Sequence, residues 1–463
     1  MSVRVGVAAG HPNTARAGAD VLLAGGSAAD AAVAMILVSC AAETVFTGLG
    51  GGGFATYYDA ATRQTRCVDF FVSVPGLGGR RPGPSRPIEV MFIGQRMPYD
   101  VGPPTVAVPG VPAGVHHLWR RWGRLPWEQL VAYGREASFG TPFPASHAAL
   151  LPKVAQAMCL NEGADVFCRP DGSYLQPGDP LRHRDHHRAY ELLATDPTAF
   201  YRGEYAEAMA SAVADGGALD LTDLAAYRVL ESAPASASCR GFTVHGRGTD
   251  LDDVLGALQR AALSVSADPR HDPAAALALI DALRQPDRRA ETTNIVAVDA
   301  AGNGCAVTTS LGLGSGVWVP GYGVHLNSMM GEGELLRSQV PPGIRMGSMM
   351  SPLVALDSAH QLVALAGAAG GSRIRPALVQ VVLRILAGSP PQQAIDAPRL
   401  NALPGLVRLE PGFSAAVVAA LEEAGHEVAV ATDRDSYFGG VSAISARGGG
   451  ADPRRSGAVI ELE

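Results

Sequence analysis

The chain has 463 residues, which is enough to bury a large core and favours about two or three domains. Hydrophobic residues make up 47% and charged residues 17% of it, which excludes an intrinsically disordered protein. The net charge of −7, without a basic block, argues against a nucleic-acid partner. The apolar run over residues 28–42 contains Asp30 and is too short to span a bilayer, and the N-terminal residues lack a signal-peptide pattern. A cytoplasmic protein that does not bind membranes is expected.

The sequence offers no pattern typical of a metal or organic cofactor. Its six cysteines are scattered without a CxxC pair and are interpreted as free thiols. The His- and Arg-rich segment 182–188 is interpreted as a solvated loop or helix face. Residues 48–53 satisfy GxGxxG, but a strand pattern follows them where a dinucleotide site needs a helix. No cofactor and no metal are therefore expected.

The first part of the chain is mainly helical, with one early hairpin. The predicted elements are, in order, a helix over 15–42 interrupted at Gly25-Gly26, a hairpin of strands 55–59 and 64–69, a loop over 75–87, helical stretches over 113–161 and 185–215, and a short helix N-capped by Thr222.

From Thr292 onward the pattern changes to strands. The predicted elements are strands 295–299 and 304–309 around a turn, a second hairpin of 353–356 and 362–366, and helices over 376–386 and 414–424. Strands packed between helices suit an α+β protein built as a four-layer αββα sandwich. Its large piece would be residues 1–291 and its small piece residues 292–463.

Two short motifs point to chemistry. Thr292-Thr293 stands directly before an apolar strand, and Gly370-Gly371 lies in a predicted tight turn. A threonine that becomes a chain terminus carries its own base, the freed α-amine, beside its hydroxyl nucleophile. Backbone N–H groups of a glycine turn can stabilise an oxyanion. Alone, a threonine pair is more often only part of a strand. Further motifs are therefore needed to distinguish a nucleophile from a strand residue.

Those further motifs occur in order from end to end. They are AAGHP at 8–12, GGSAADAAVA at 25–34, GLGGGGF at 48–54, VAVPG at 106–110, FYRG at 200–203, SMMSP at 348–352, GGSR at 370–373, APR at 397–399 and ADPRR at 451–455. Together they resemble the γ-glutamyltransferase family of N-terminal-nucleophile hydrolases, whose fold is the αββα sandwich.

The resemblance implies a role for each motif residue. Thr292 would attack the carbonyl of Glu291, cleave the chain there and become the nucleophile. Ser310 would hydrogen-bond the Thr292 hydroxyl, and Gly370 and Gly371 would form the oxyanion hole. The two fragments would stay associated, and the substrate would be a small molecule.

The chain departs from the family where the substrate binds. Phe71 stands where the family arginine clamps the α-carboxylate of a γ-glutamyl group, and a phenyl ring cannot replace that fork. The family asparagine becomes Gly312, and the paired aspartates that bind the α-amine become Gly331-Glu332. Of two adjacent serines, Ser348 remains and Met349 replaces the other.

Three functions follow from this mixture. The leading one is a self-processing threonine hydrolase with a non-glutathione substrate in a biosynthetic, natural-product pathway. An example is hydrolysis of a C–C bond in an oxalyl-bearing intermediate, the role ascribed to family members in 4-alkylproline pathways. The second is an ordinary γ-glutamyl hydrolase or transferase whose clamp is replaced by an arginine from 75–87. The third is an uncleaved, non-catalytic homologue.

Overall fold

The computed structural model describes residues 3–92, 95–249, 251, 253–284, 292–332, 335 and 340–463. Its helices are α1 Pro12–Leu23, α2 Ala28–Ala42, α3 Val111–Trp122, α4 Trp127–Ser138, α5 Ala145–Met158, α6 Gly163–Phe167, α7 His186–Thr195, α8 Glu204–Ala212, α9 Leu221–Ala226, α10 Val254–Ser264, α11 Pro273–Leu283, α12 Ile374–Leu386, α13 Pro391–Asp396 and α14 Ala415–Glu423.

The strands are β1 Gly6–Ala9, β2 Gly52–Asp59, β3 Gln64–Phe70, β4 Arg86–Phe92, β5 Gln95–Val101, β6 Thr141–Pro142, β7 Pro180–Leu181, β8 Leu230–Ser232, β9 Ala235–Cys239, β10 Phe242–Gly246, β11 Thr293–Val298, β12 Gly304–Ser310, β13 Trp318–Val319, β14 Val324–His325, β15 Leu353–Leu356, β16 Leu362–Ala369, β17 Leu400–Leu403, β18 Leu406–Leu409, β19 Glu427–Val430, β20 Gly440–Ser445, β21 Gly448–Ala451 and β22 Ala458–Glu461.

Two large sheets form the middle of the molecule. One has the strand order β22-β1-β11-β12-β2-β3-β8, and the other has the order β21-β20-β16-β15-β10-β9. The first sheet contains strands from both sides of position 291, with β11 paired to β1 on one side and to β12 on the other. The two predicted pieces therefore share one sheet.

Alternation along β11 shows how the sheets are covered. Ile295 and Ala297 belong to the apolar cluster that the helix layer of α1 to α4 covers. Val296 and Val298 instead join a cluster that also contains Leu365 of β16 in the opposite sheet. Successive strand residues point to opposite faces, so each strand contributes to two interfaces. Helices α10, α12 and α13 pack on the second sheet, and α11 and α14 pack outside them, which confirms the four-layer αββα arrangement.

Helix α2 is buried along its whole length, because almost every residue in it is small or apolar. Ser27 caps its N-terminus in a reciprocal capping box with Asp30. Glu43 follows its last turn and is 1% exposed. A carboxylate at the buried end of an apolar helix needs partners, and those partners lie in the candidate site.

Most predicted elements are present, with informative exceptions. The first hairpin is confirmed as β2 and β3, and the long first helix divides into α1 and α2 around Gly25-Gly26. The N-cap predicted at Thr222 is wrong, because the Asp220 carboxylate caps α9 by accepting from the Thr222 and Asp223 N–H groups. The loop over 75–87 ends in a strand, since β4 begins at Arg86 and pairs with β5.

The His-rich segment 182–188 is also different from the expected solvated face. His183 and His186 are buried, and the pKa of His183 is lowered to about 4 because burial disfavours the charged ring. No helix in the described part of the chain is both long and apolar enough to cross a membrane.

A buried ionic network ties the APR motif at 397–399 to the ADPRR motif at 451–455. An Arg399 Nη2 atom lies 2.6 Å from Asp452 Oδ2, and an Arg454 Nη2 atom lies 2.6 Å from Glu410 Oε2. Asp452 also accepts from Arg454 Nη1 at 3.1 Å and from the Val441 N–H at 3.0 Å. The two arginines hold the pKa of Asp452 below its usual range.

Removing one charge from this network should lower the stability of the fold. We expect Asp452→Asn to lower the free energy of unfolding by about 3–5 kcal/mol, because it leaves Arg399 and Arg454 buried without their shared partner. Arg434→Gln removes an exposed ion pair with Asp396, at 3.8 Å, and should change the stability by less than about 1 kcal/mol. Urea unfolding of both variants measures the difference. Equal, small effects would show that the network is not a stabilising element.

Candidate active site

Thr292 and Thr293 face opposite sides of the first sheet at the start of β11. The Gly370 N–H donates a hydrogen bond to Thr292 Oγ1 at 2.8 Å, across the space between the two sheets. The Thr293 hydroxyl points to the helix layer and donates to Glu43 Oε2 at 2.5 Å. Both threonines are nearly inaccessible to solvent. Of the pair, Thr292 therefore has the hydroxyl that meets the glycine turn.

Gly370 and Gly371 form the turn that follows β16 and precedes α12. Their φ angles are +125° and +60°, in the region that side chains other than glycine rarely adopt. A Cβ on Gly370 would lie 3.1 Å from Gly439 Cα, so neighbouring backbone leaves little room. Gly370 places its N–H on Thr292, and Gly371 lies next to it in the same turn.

Ser310 lies at the end of β12, beside the first residues of β11. The register pairs Thr293 with Thr309, and one further step places Thr292 opposite Ser310. The Gly312 N–H donates to Ser310 Oγ at 3.0 Å. The sequence-predicted residues Thr292, Ser310 and Gly370 are thus brought to one end of the sandwich.

Glu43 is a site residue that the sequence reasoning missed. Its carboxylate accepts from the Thr14 hydroxyl at 2.7 Å and from the Thr293 hydroxyl at 2.5 Å. Burial raises its pKa to about 7, against the opposing effects of the two hydroxyls and of Arg455. A Cβ on Gly10 would lie 2.8 Å from Glu43 Oε2, so a larger residue there would displace the carboxylate. The sequence feature that could have identified Glu43 is an acidic residue directly after the last turn of an otherwise apolar helix.

A small cavity connects these groups. It is lined by Gly10, Glu43, Phe46, Thr292, Thr293, Asn294, Ala369, Gly440, Val441, Ser442, Asp452 and Arg455. Arg455 packs its guanidinium over the Phe46 ring, 4.8 Å from the ring centroid. The ADPRR motif therefore contributes a buried cation to the wall nearest the threonines.

Phe71, which the sequence predicts at the position of the family's clamp arginine, is packed among apolar side chains. It is 1% exposed, and its ring lies 5.2 Å from that of Phe54. The Tyr227 hydroxyl donates to the Phe71 carbonyl at 2.7 Å, and Arg345 Nη1 donates to the same carbonyl at 2.6 Å. Both the side chain and the carbonyl group of Phe71 are therefore held in the core.

Arg247, just after β10, is a second residue that the sequence reasoning missed. Its guanidinium lies 3.3 Å from the centroid of the Phe54 ring. Its Nη1 atom donates to the Met350 carbonyl at 2.7 Å and to the Ser348 carbonyl at 3.4 Å. An arginine therefore lies beside the Phe54–Phe71 pair, although it comes from a different strand. By contrast, Arg80 in the expected 75–87 segment binds the Ala214 carbonyl at the surface.

Gly312 and Glu332 depend on each other. Gly312 has φ +67°, and a Cβ there would lie 2.3 Å from Glu332 Oε1 and 2.8 Å from Ser328 Oγ. Glu332 is 2% exposed. Its carboxylate occupies the volume that an asparagine side chain at 312 would need. The residues at the two positions where the sequence predicts departures from the family pattern are therefore sterically coupled.

Ser348 and Met349 lie on the segment before β15. Ser348 Oγ accepts from the Met350 N–H at 3.2 Å, while Met349 is 1% exposed within the large apolar cluster. The predicted cleavage-site residue Glu291 lies outside the described residues. Within the described ranges, no group of three or more His, Cys, Asp or Glu side chains is arranged to hold a metal ion.

The family model of γ-glutamyltranspeptidase matches residues 14–251 and 257–462. The chain is 28% identical to an acylase ACY 1 proenzyme of Pseudomonas sp. (strain SE83), over 95% of this chain and 89% of the relative. It is 26% identical to a glutathione hydrolase proenzyme of Bacillus subtilis (strain 168), over 98% of this chain and 91% of the relative.

Solved structures show the same fold. A cephalosporin acylase from Bacillus halodurans superposes with a TM-score of 0.79 at 23% identity, covering 100% of this chain and 97% of that one. The structure of LmbA2991HD gives a TM-score of 0.78 at 21% identity, with 99% and 98% covered. The whole-length family match, the αββα fold and these relatives agree, and the chain belongs to the γ-glutamyltranspeptidase family of hydrolases and acylases.

Proposed function

We propose that this protein cleaves its own chain before Thr292 and then hydrolyses an acyl substrate other than glutathione. The observation that carries the proposal is the hydrogen bond from the Gly370 N–H to Thr292 Oγ1, at 2.8 Å. It holds the nucleophile candidate against a glycine turn whose N–H groups can stabilise an oxyanion. The names of two relatives, each called a proenzyme, agree with maturation by cleavage.

The chemistry uses the same hydroxyl twice. During maturation, Thr292 Oγ1 attacks the carbonyl carbon of residue 291, the peptide C–N bond breaks, and water hydrolyses the resulting ester. The released α-amine then serves as the base that takes the proton of the Thr292 hydroxyl. During turnover, the hydroxyl attacks the substrate carbonyl while Gly370 and Gly371 N–H groups hold the oxyanion, and water releases the product.

The binding side of the site favours an acyl group without the α-amino-acid head of a γ-glutamyl substrate. Phe71 buries a phenyl ring where the family has a carboxylate-binding arginine. Losing one partner of such a charge pair typically costs about 2–5 kcal/mol of binding. Two relatives are acylases by name, one of them a cephalosporin acylase. A biosynthetic substrate, such as an oxalyl-bearing intermediate cleaved at a C–C bond, belongs to this proposal.

The first test is self-cleavage on a denaturing gel. The wild-type chain should give two fragments, Thr292→Ala should remain whole because the hydroxyl is absent, and Thr292→Ser should still cleave. Thr62→Ala, in the exposed hairpin turn after β2, is the control and should behave as wild type. An uncleaved wild-type chain would favour the non-catalytic homologue.

The second test concerns the glycine turn. Gly370→Ala should lower kcat on acyl p-nitroanilides by about 100-fold or more, because a displaced N–H no longer meets the oxyanion. Gly388→Ala is a matched control, since Gly388 has a similar φ of +98° at the far end of α12. Its strain should lower the melting temperature and leave kcat unchanged. Equal rates for both variants would remove the turn from the mechanism.

A second candidate function rests on Arg247. Its guanidinium lies beside Phe54 and hydrogen-bonds the carbonyl of Ser348, the serine that the family pattern places near the substrate carboxylate. If Arg247 replaces the clamp, the enzyme remains a γ-glutamyl hydrolase or transferase.

Three p-nitroanilides separate the two functions. γ-Glutamyl carries both the α-amine and the α-carboxylate, glutaryl carries only the carboxylate, and butyryl carries neither. The leading proposal predicts that the enzyme does not prefer the γ-glutamyl and glutaryl substrates over the butyryl substrate. It also predicts that Arg247→Gln leaves the order of the three substrates unchanged. The second candidate predicts that Arg247→Gln raises KM for γ-glutamyl and glutaryl substrates by about 100-fold, whereas Arg80→Gln changes nothing.

A further inference from the structure

Maturation poses a problem of proton transfer that the mature enzyme does not have. Before cleavage, the nitrogen of Thr292 is part of a peptide bond, so no α-amine is present to act as the base. Another group must take the proton from the Thr292 hydroxyl when it attacks residue 291. The described structure places two carboxylates, Glu43 and Asp452, on the wall of the same cavity as Thr292, and Asp452 is already paired with two arginines.

That cavity has the size and the lining of a single-water site. Its volume is about 10 Å³, at the lower limit of the roughly 10–15 Å³ that one buried water requires. Polar walls come from Glu43, Thr292 and Asn294, and Asn294 Oδ1 is buried without a hydrogen-bond partner in the described structure. A buried water needs about two to four polar partners, and the lining offers candidates for them in the Glu43 carboxylate, the Thr292 hydroxyl and Asn294 Oδ1.

The carboxylate has acceptor capacity to spare. Each oxygen of Glu43 already accepts one hydrogen bond, from Thr14 and from Thr293. A carboxylate offers about four acceptor positions, so a water can donate to one of the others. The two hydroxyls also fix the orientation of the carboxylate, and Gly10 leaves no side chain in the way.

We propose that Glu43, acting through one water held in this cavity, is the base for self-cleavage at Thr292. The proposal rests on the self-cleavage proposed above. The Thr292 hydroxyl proton passes to the water, and the water passes a proton to the Glu43 carboxylate. Oγ1 bonds to the carbonyl carbon of residue 291, and the C–N bond breaks. The protonated Glu43 returns its proton, through the water, to the leaving nitrogen of Thr292, so no net proton is gained or lost.

The charges around Glu43 suit this role. Arg455 faces it from the ADPRR segment and stabilises its ionised form, while Cys40 faces it from α2. His11 and His147 lie nearby and stay neutral, because burial lowers their pKa values well below 6.5. Asp452, also on the cavity wall, is paired with Arg399 and Arg454. With a pKa of about 7, Glu43 is the group among these that changes charge near neutral pH.

The test is the rate of self-cleavage as a function of pH, followed by intact mass in freshly purified chain. In wild type the rate should rise with pH through about 7, as the Glu43 carboxylate ionises. Glu43→Gln should cleave about 100-fold more slowly or worse and lose this pH dependence. Glu43→Asp should recover part of the rate.

Thr14→Val separates a base from a merely structural carboxylate. Thr14 donates to Glu43 but does not line the cavity, so its loss should raise the pKa of Glu43 and move the pH midpoint of cleavage upward, with the maximal rate preserved. Melting temperatures report whether Glu43→Gln folds. If it does not, Thr14→Val still tests the proposal. An unchanged midpoint in Thr14→Val, or a wild-type rate and profile in folded Glu43→Gln, would overturn the proposal. A wild-type chain that never cleaves would instead overturn the proposed function.

Discussion

The hydrogen bond between the Gly370 N–H and the Thr292 hydroxyl joins the two sheets at the point where the proposed chemistry occurs. Facing sheets pack about 10 Å apart, so such a contact needs short side chains and close backbone on both surfaces. Gly367, three residues before Gly370, also allows the sheets to approach closely, since a Cβ there would lie 3.2 Å from Asn294 Cβ. The small residues on the inner faces therefore set the geometry of the site.

Two buried charged systems support this contact from opposite sides. Glu43 fixes Thr293, and thereby the start of β11, against the helix layer. The Arg399–Asp452–Arg454–Glu410 network fixes the segment that carries Arg455 against the second sheet. Both systems are expensive to bury and stable only while every partner is present. Their position explains why sequence motifs far from residue 292 belong to the same site.

The substrate side of the site has changed as linked groups of residues. Phe71 packs on Phe54, and the Arg247 guanidinium also packs on that ring. Gly312 makes room for the Glu332 carboxylate. Single substitutions at these positions toward the family pattern would therefore meet filled space.

The sequence predicted what depends on local pattern. Alternating residues gave the β2–β3 hairpin, and the Thr292 and Gly370 motifs gave two groups that the fold brings within hydrogen-bond distance. The sequence did not reveal Glu43 as a site residue. A single acidic residue after an apolar helix has no local pattern that predicts its contact with Thr293, which is distant in the chain. Arg247 was missed for a similar reason, as its position beside Phe54 results from pairing between distant strands. The solvated position predicted for His183 and His186 was wrong, since His183 packs against Trp318 and His186 packs against Tyr190.

The central claim is that Thr292, and not Thr293, becomes the N-terminal nucleophile. The most direct measurement is the mass and N-terminal residue of the smaller fragment from the purified chain. The account predicts a fragment that begins at Thr292, because the Thr293 hydroxyl is held by Glu43 on the other face of the strand. A fragment that begins at Thr293 or elsewhere would contradict it.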